Sequence, residues 1–238
     1  MYVVITGASR GIGLALAKLY YSKGYKLILT CENNIGLLKK EFNEAIELPS
    51  DKINGDEKVL IKKGLLNEDD LKKINNIYML INNAGKCMYE QFQYIDYDKY
   101  KEIVYSNLDY NFLTTKVLIN KMLKNKNGIV VNISSMWGIL GASMESIYSM
   151  TKGGINALTK SLSKEYKESN IDFIAFALGA VDTDMNNKLS IEDKKIMESE
   201  LDNGRMFAPD EIANIIYDKV SKKEYNTGDI IEINNGLK

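Results

Sequence analysis

Strand-length apolar runs rich in Val and Ile alternate along this chain with segments patterned as amphipathic helices, and that alternation constrains the fold more than any other feature. The runs fall at 2–6, 26–31, 58–62, 78–81, 128–133, 171–178 and 229–233. Helical patterns occupy 13–22, 35–46, 67–75, 98–125, 147–169 and 209–221, with a further helix expected at 191–201. Strands separated by helices return to the same sheet as parallel neighbours. The expected architecture is therefore α/β: one doubly wound domain over 1–238, with a seven-stranded parallel sheet and helices on both faces. Turn chemistry agrees with this division. Asn54-Gly55 precedes the third run, Asn127-Gly128 precedes the fifth, and Pro209 stands where the first turn of a helix accepts proline. The polar stretch 184–206 interrupts the alternation and is expected to act as a lid over a substrate.

Composition removes several classes of chemistry. The chain contains no histidine, which excludes Ser/His and Cys/His catalysis and His-containing zinc sites. Proton transfer near neutral pH must then use Tyr, Lys, Asp, Glu, Cys or water. With 31 Lys+Arg against 32 Asp+Glu, no whole-protein field favours nucleic acid or an anionic membrane. Cys31 and Cys87 are too few for a disulfide framework and read as small apolar residues in a reducing compartment. The first apolar run begins directly after Met1, which leaves no room for a signal peptide, and no apolar stretch approaches the roughly 20 residues of a spanning helix. A cytoplasmic protein is expected, without a metal and without a nucleic-acid or membrane partner.

Thr6-Gly7-Ala8-Ser9-Arg10-Gly11-Ile12-Gly13 follows the first run and opens the first helical segment. Three glycines also occur in ordinary loops, but between a strand and a helix they suit a pyrophosphate. Gly7 permits the tight turn, Gly11 and Gly13 allow close backbone approach, and the helix N-terminus offers free N–H groups. Three residues and then one separate these glycines, where the common dinucleotide fingerprint has one and then two. In this respect the chain resembles the short-chain dehydrogenase/reductase family, whose Rossmann-like fold binds NAD(P).

Further along, Tyr148 and Lys152 stand four apart near the start of a helical segment, on one face. A neighbouring ammonium lowers the pKa of a phenol, which is ordinarily about 10, and so makes Tyr148 a usable acid/base. Ser135 ends the fifth run, where open α/β sheets place ligand-contacting groups. Taken alone, a Tyr and a Lys at this spacing are usually a solvated or packed pair. The resemblance to the family extends to this strand-end Ser with Tyr-x-x-x-Lys, to Asn82-Asn83-Ala84-Gly85 after the fourth run, and to Asn107 within the long helical segment.

That resemblance implies an active site of Asn107, Ser135, Tyr148 and Lys152, with Ser134 as a structural hydroxyl. Tyr148 would be the general acid/base for hydride transfer between NADP(H) or NAD(H) and a ketone or secondary alcohol. Lys152 would hold the nicotinamide ribose, and Asn107 a water bridging to Lys152. Cofactor contacts are expected from Gly7, Ser9, Arg10, Gly11, Ile12, Gly13, Asn83, Ala84, Gly85, Tyr148 and Lys152. After the sixth run, Gly179 and Thr183 match the family's loop, with carboxamide contacts expected from the Val181 backbone and Thr183, but Leu178 replaces the family's proline, so a less rigid loop is expected. Leu65 stands where the family often has an Asp beside the adenine.

Cys31 occupies the Asp-like position that selects NAD, while Arg10 resembles a residue that binds a 2′-phosphate, although Glu32 would oppose that group unless it points away. NADP(H) is favoured, with NAD(H) as the alternative. The chain resembles the 3-oxoacyl-acyl-carrier-protein reductase type of the family, implying a small carbonyl or alcohol substrate and a homotetramer or homodimer built on helices 98–125 and 147–169. Met136, Trp137, Leu140 and Met144 either wall the substrate or pack in the core. A catalytically silent NAD(P)-binding sensor is the competing function, and it would be expected to lack Tyr148 or Lys152.

Overall fold

A computed structural model describes residues 1–184, 198–199, 201–202 and 204–237. The strands are β1 (Tyr2–Ile5), β2 (Lys26–Cys31), β3 (Ile46–Glu47), β4 (Val59–Lys63), β5 (Ile77–Asn82), β6 (Gly128–Ser135), β7 (Ile171–Leu178) and β8 (Ile230–Ile233). They form one sheet in the order β3-β4-β2-β1-β5-β6-β7-β8, parallel throughout. This is the doubly wound α/β arrangement, with eight strands where seven were expected. The additional one is the two-residue edge strand β3, paired with β4. Two residues carry no readable period, and the helical reading of 35–46 ran into them.

Among the described residues the α-helices are α1 (Gly11–Ser22), α2 (Ile35–Glu41), α3 (Tyr97–Val104), α4 (Tyr110–Asn125), α5 (Trp137–Leu140), α6 (Ser146–Glu165) and α7 (Pro209–Ser221). Pro209 occupies the first turn of α7, and Glu211 Oε2 accepts the Ala208 N–H at 2.7 Å. The expected helix at 67–75 is instead a run of turns. Asn67 Oδ1 accepts the Asp70 N–H at 2.9 Å and Asp70 Oδ2 accepts the Asn67 N–H at 3.0 Å, closing the backbone on itself. Between α3 and α4 the expected long helix continues through a π turn, Tyr105–Asp109. Most of the 184–206 lid expectation, and of the 191–201 helix, lies outside the described residues. Among those residues no helix is long and apolar enough to cross a membrane.

Strand side chains alternate between the two faces, and both faces are buried. On one, Val3, Ile5, Leu27, Leu29, Ile61 and Ile81 pack with Leu16 and Tyr20 of α1 and Ile212 and Ile216 of α7. On the other, Tyr2, Val4, Ile28, Leu60, Leu80 and Val130 pack with Leu118 and Met122 of α4. Each fully buried Leu, Ile or Val contributes about 1.5–3 kcal/mol relative to exposure. The strand order reverses between β1 and β5, and sheets of this kind bind ligands at such a junction, outside the C-terminal ends of the strands.

Candidate active site

Six expected site segments leave the sheet at that same edge: the glycine turn from β1, Glu32 from β2, Leu65 from β4, residues 83–85 from β5, Ser135 at the end of β6 and Gly179 from β7. Gly7 adopts φ +65°, and a Cβ on Gly13 would lie 2.4 Å from the Gly7 carbonyl oxygen and 2.5 Å from Asn83 Nδ2. The glycine at 13 is therefore required by contact. Asn83 secures the turn from the neighbouring strand, donating from Nδ2 to the Thr6 and Gly7 carbonyls at 2.9 and 3.2 Å. Thr6 Oγ1 accepts the N–H groups of Asn83 and Ala84, both at 3.0 Å. No side chain caps α1, and its first bond runs from Leu14 N–H to the Arg10 carbonyl at 3.2 Å. The amides of Gly11, Ile12 and Gly13 thus lie ahead of the first intrahelical bond, as an anion site needs. Thr183 approaches the same turn: its Cγ2 would be 3.3 Å from a Cβ on Gly11.

Ser135, Tyr148 and Lys152 converge. Ser135 is buried, lies close enough to the Tyr148 side chain to influence its pKa, and accepts the Trp137 N–H at 3.2 Å. Lys152 Nζ lies 5.5 Å from the centroid of the Tyr148 ring and donates to the Ile133 carbonyl at 2.8 Å. Burial pulls the Lys152 ammonium down to about 8. The expected lowering of the Tyr148 phenol is corrected by the structure. Burial raises its pKa above the ordinary value, the charges of Glu145 and Cys87 add to the rise, and only the Ser135 side chain opposes it. Ser134 faces away, donating to the Lys152 carbonyl at 3.4 Å, in agreement with a structural hydroxyl.

Asn107 is fully buried inside the π turn. Its Oδ1 accepts the Lys86 N–H at 2.7 Å, and its Nδ2 donates to the Lys86 carbonyl at 3.0 Å and to Thr151 Oγ1 at 2.9 Å. The side chain thus anchors the segment after Gly85 to the helix carrying Lys152. A wider lattice of amides supports the floor of the site. Asn82 Nδ2 reaches Thr115 Oγ1 and Asn132 Oδ1 at 3.0 Å each, Asn111 Nδ2 reaches Asn132 Oδ1 at 3.0 Å, and Asn132 Nδ2 reaches Thr159 Oγ1 at 2.9 Å. A polar Asn132 inside an otherwise apolar strand was the readable sign of this lattice.

Three further residues escaped sequence reasoning. Glu145 lies three positions before Tyr148, and burial pushes its carboxyl up to about 7, opposed by the nearby Trp137 side chain. Asn235 clasps the loop after β7: its Oδ1 accepts the Ala180 N–H at 3.1 Å, and its Nδ2 reaches the carbonyls of Ala180 and Arg205 at 3.3 and 3.2 Å. The loop expected to be loose without proline is held in this way, while Val181 is buried and bridged to Phe207. Lys86 bonds Glu32 and Glu102, both carboxylates accepting from Nζ at under 3 Å. Ser9, Ile12 and Leu65 are half-buried, and Arg10 lies 3.6 Å from Asp184. Met136 is buried, whereas Trp137 and Met144 are half-buried and Leu140 is exposed. Cys31 is buried and Cys87 half-buried. Among the described residues no group of three His, Cys, Asp or Glu side chains is arranged to hold a metal.

Comparison with known proteins gives the same outline. Residues 1–194 match the short chain dehydrogenase family. Over 98% of the chain it is 33% identical to the oxidoreductase YmfI of Bacillus subtilis, covering 97% of that protein. It is likewise 33% identical to the 3-oxoacyl-[acyl-carrier-protein] reductase FabG of Aquifex aeolicus, over 98% of the chain and 96% of the relative. An acetoacetyl-CoA reductase of an Acinetobacter species is 30% identical over the same shares.

Proposed function

Because the chain belongs to the short-chain dehydrogenase family, and is thus an NAD(P)-dependent oxidoreductase, we propose that it interconverts a ketone and a secondary alcohol with Tyr148 as the proton-transferring group. The observation that carries this reading is the convergence of Ser135, Tyr148 and Lys152 at the end of β6, on the same edge of the sheet from which the glycine turn departs. NADP(H) is the favoured cofactor, with NAD(H) as the alternative. The uncapped start of α1 and the Gly13 contact suit its pyrophosphate, which the turn residues Gly7, Ser9, Arg10, Gly11, Ile12 and Gly13 would cradle. Glu32 and Leu65 would flank the adenosine, Asn83, Ala84 and Gly85 the middle of the cofactor, and Gly179, Val181 and Thr183 the carboxamide. When bound, the nicotinamide supplies or accepts the hydride.

In reduction, the Ser135 hydroxyl donates to the substrate carbonyl oxygen while the Tyr148 O–H points at the same atom. As hydride arrives at carbon, the phenolic proton passes to oxygen and the C=O becomes CH–OH. The raised phenol is protonated at neutral pH, which suits this direction. Lys152, charged at pH 7, places its ammonium near the ring where tyrosinate forms, and holds the ribose. Asn107 positions Lys152 through Thr151. A homotetramer or homodimer is also proposed, supported by exposed Tyr97, Tyr105, Phe112 and Leu113 along α3 to α4 and by exposed Met150 on α6.

The test is Tyr148→Phe assayed by cofactor absorbance over a carbonyl panel that begins with a 3-oxoacyl thioester. Loss of turnover by about 10³-fold or more, with cofactor binding preserved, is expected. Near-normal turnover in the variant would refute the role of Tyr148. Silence of the unaltered protein across a broad panel would favour a nucleotide sensor.

A further inference from the structure

Lys86 directly follows the 83–85 run at the end of β5, and its backbone is fixed at both N–H and carbonyl by the buried Asn107 amide. From that anchor Nζ reaches Glu32 Oε1 at 2.9 Å and Glu102 Oε1 at 2.8 Å. Glu32 is the first residue beyond β2, and β1 lies between β2 and β5 in the sheet. The ion pair therefore crosses above the end of β1, where the glycine turn departs. In sheets of this topology the acidic partner of the adenosine ribose stands about 20 residues beyond the glycine turn, at the end of the second strand. Cys31 ends that strand here and Glu32, the next residue, is the carboxylate nearest to that place, with Lys86 the cation bound to it. The two carboxylates raise the pKa of the Lys86 ammonium, which keeps its charge across the neutral range. Arg10, the basic residue of the turn, is paired instead with Asp184 on the β7 side.

We infer that Lys86 is a specificity-determining residue that sets whether the protein accepts a 2′-phosphorylated dinucleotide. The inference rests on the nucleotide reading above and deepens it. An unaccompanied Glu32 carboxylate would repel a phosphate at the ribose 2′ position. Bound to Lys86, which it shares with Glu102, its charge is partly offset, and the same ammonium can donate to the phosphate oxygens. The Lys86 and Glu32 side chains are 32% and 63% exposed, so the pair is held weakly and can exchange Glu32 for a phosphate at little cost. For a cofactor with a free 2′-hydroxyl the pair stays intact, and Glu32 accepts from the hydroxyl. Lys86 thus acts on one cofactor class and is a bystander to the other.

The test uses the full chain and non-reacting probes, ADP-ribose and its 2′-phosphorylated form, titrated calorimetrically so that turnover plays no part. Lys86→Met should weaken the 2′-phosphorylated probe by about tenfold or more, the scale of one charge-assisted hydrogen bond, and ADP-ribose by less than about threefold. Lys86→Arg should retain most of the affinity. Glu32→Gln should tighten the phosphorylated probe, and Glu102→Gln should leave the ratio of the two affinities near its original value. Equal losses for both probes in Lys86→Met, or no loss for either, would overturn the inference while leaving the nucleotide site in place. Failure of the unaltered protein to bind either probe would overturn the nucleotide reading and this inference together.

Discussion

Replacing Lys152 by Met should make the protein more stable at neutral pH while removing its activity. Lys152 is 4% exposed, and burial lowers its pKa from the ordinary 10.5 to about 8. At about 1.36 kcal/mol per decade of acidity, that depression corresponds to roughly 3 kcal/mol of destabilisation. The substitution also deletes the 2.8 Å bond to the Ile133 carbonyl, a loss of about 1–2 kcal/mol. Met preserves most of the packing volume, so a net gain of about 1–2 kcal/mol remains. For a chain of this length the corresponding rise in Tm is about 2–8 °C.

The pH dependence fixes the sign independently. The folded pKa lies below the unfolded one, so the unfolded chain binds the proton more readily. The penalty is fully present below pH 8 and fades as pH rises from about 8 toward 10.5, and over that window the gap between variant and wild type should close and then reverse, because only the lost hydrogen bond, about 1–2 kcal/mol, remains. Denaturant titrations at intervals from pH 7 to 10.5 measure it, and the difference between the two proteins cancels other titrating groups. A variant less stable than wild type at pH 7, or a gap that does not narrow, would refute the assignment of Lys152 as a side chain kept at a cost to the fold.

The crowding at Gly13, where a Cβ would sit 2.4 Å from the Gly7 carbonyl oxygen, predicts that Gly13→Ala lowers stability by about 1–3 kcal/mol and weakens nucleotide binding; an unchanged Tm and unchanged affinity would contradict the packing described. Glu145, with its carboxyl pushed up to about 7, should gain its charge across neutrality and hold the Tyr148 proton more firmly as pH rises. In alcohol oxidation, where Tyr148 must accept a proton, the kcat/KM of Glu145→Gln relative to wild type should climb between pH 6 and 8, and a ratio flat over that range would remove Glu145 from the acid/base network.

What was legible in the sequence was local. Alternating runs announced the sheet, and the glycine turn, the strand-end Ser135 and the four-residue spacing of Tyr148 and Lys152 announced where a site would form. Lys86, Glu145 and Asn235 were not legible, because each matters through partners distant in sequence or through burial. Asn235 lies 55 residues from the Ala180 it holds. The Tyr148 phenol shows the same limit from another side. Spacing reports that an ammonium is near, but only packing reports how much water both groups have lost, and that loss decides the direction of the shift. The segment 67–75 was misread because Leu71 and Ile74 are buried with helical spacing, whereas Asn67 and Asp70 turn their side chains onto each other's backbone.

The π turn at Tyr105–Asp109 joins two rods whose phases are set against each other. One extra residue offsets the faces before and after it by about 100°. Removing a single residue there would restore an uninterrupted spiral and swing either the Asn107 amide out of its slot beside Lys86 or the Asn111, Thr115 and Leu118 seam off the sheet. The helix is geared to satisfy both ends at once, so this stretch should tolerate substitutions of side chain far better than a change of length by one.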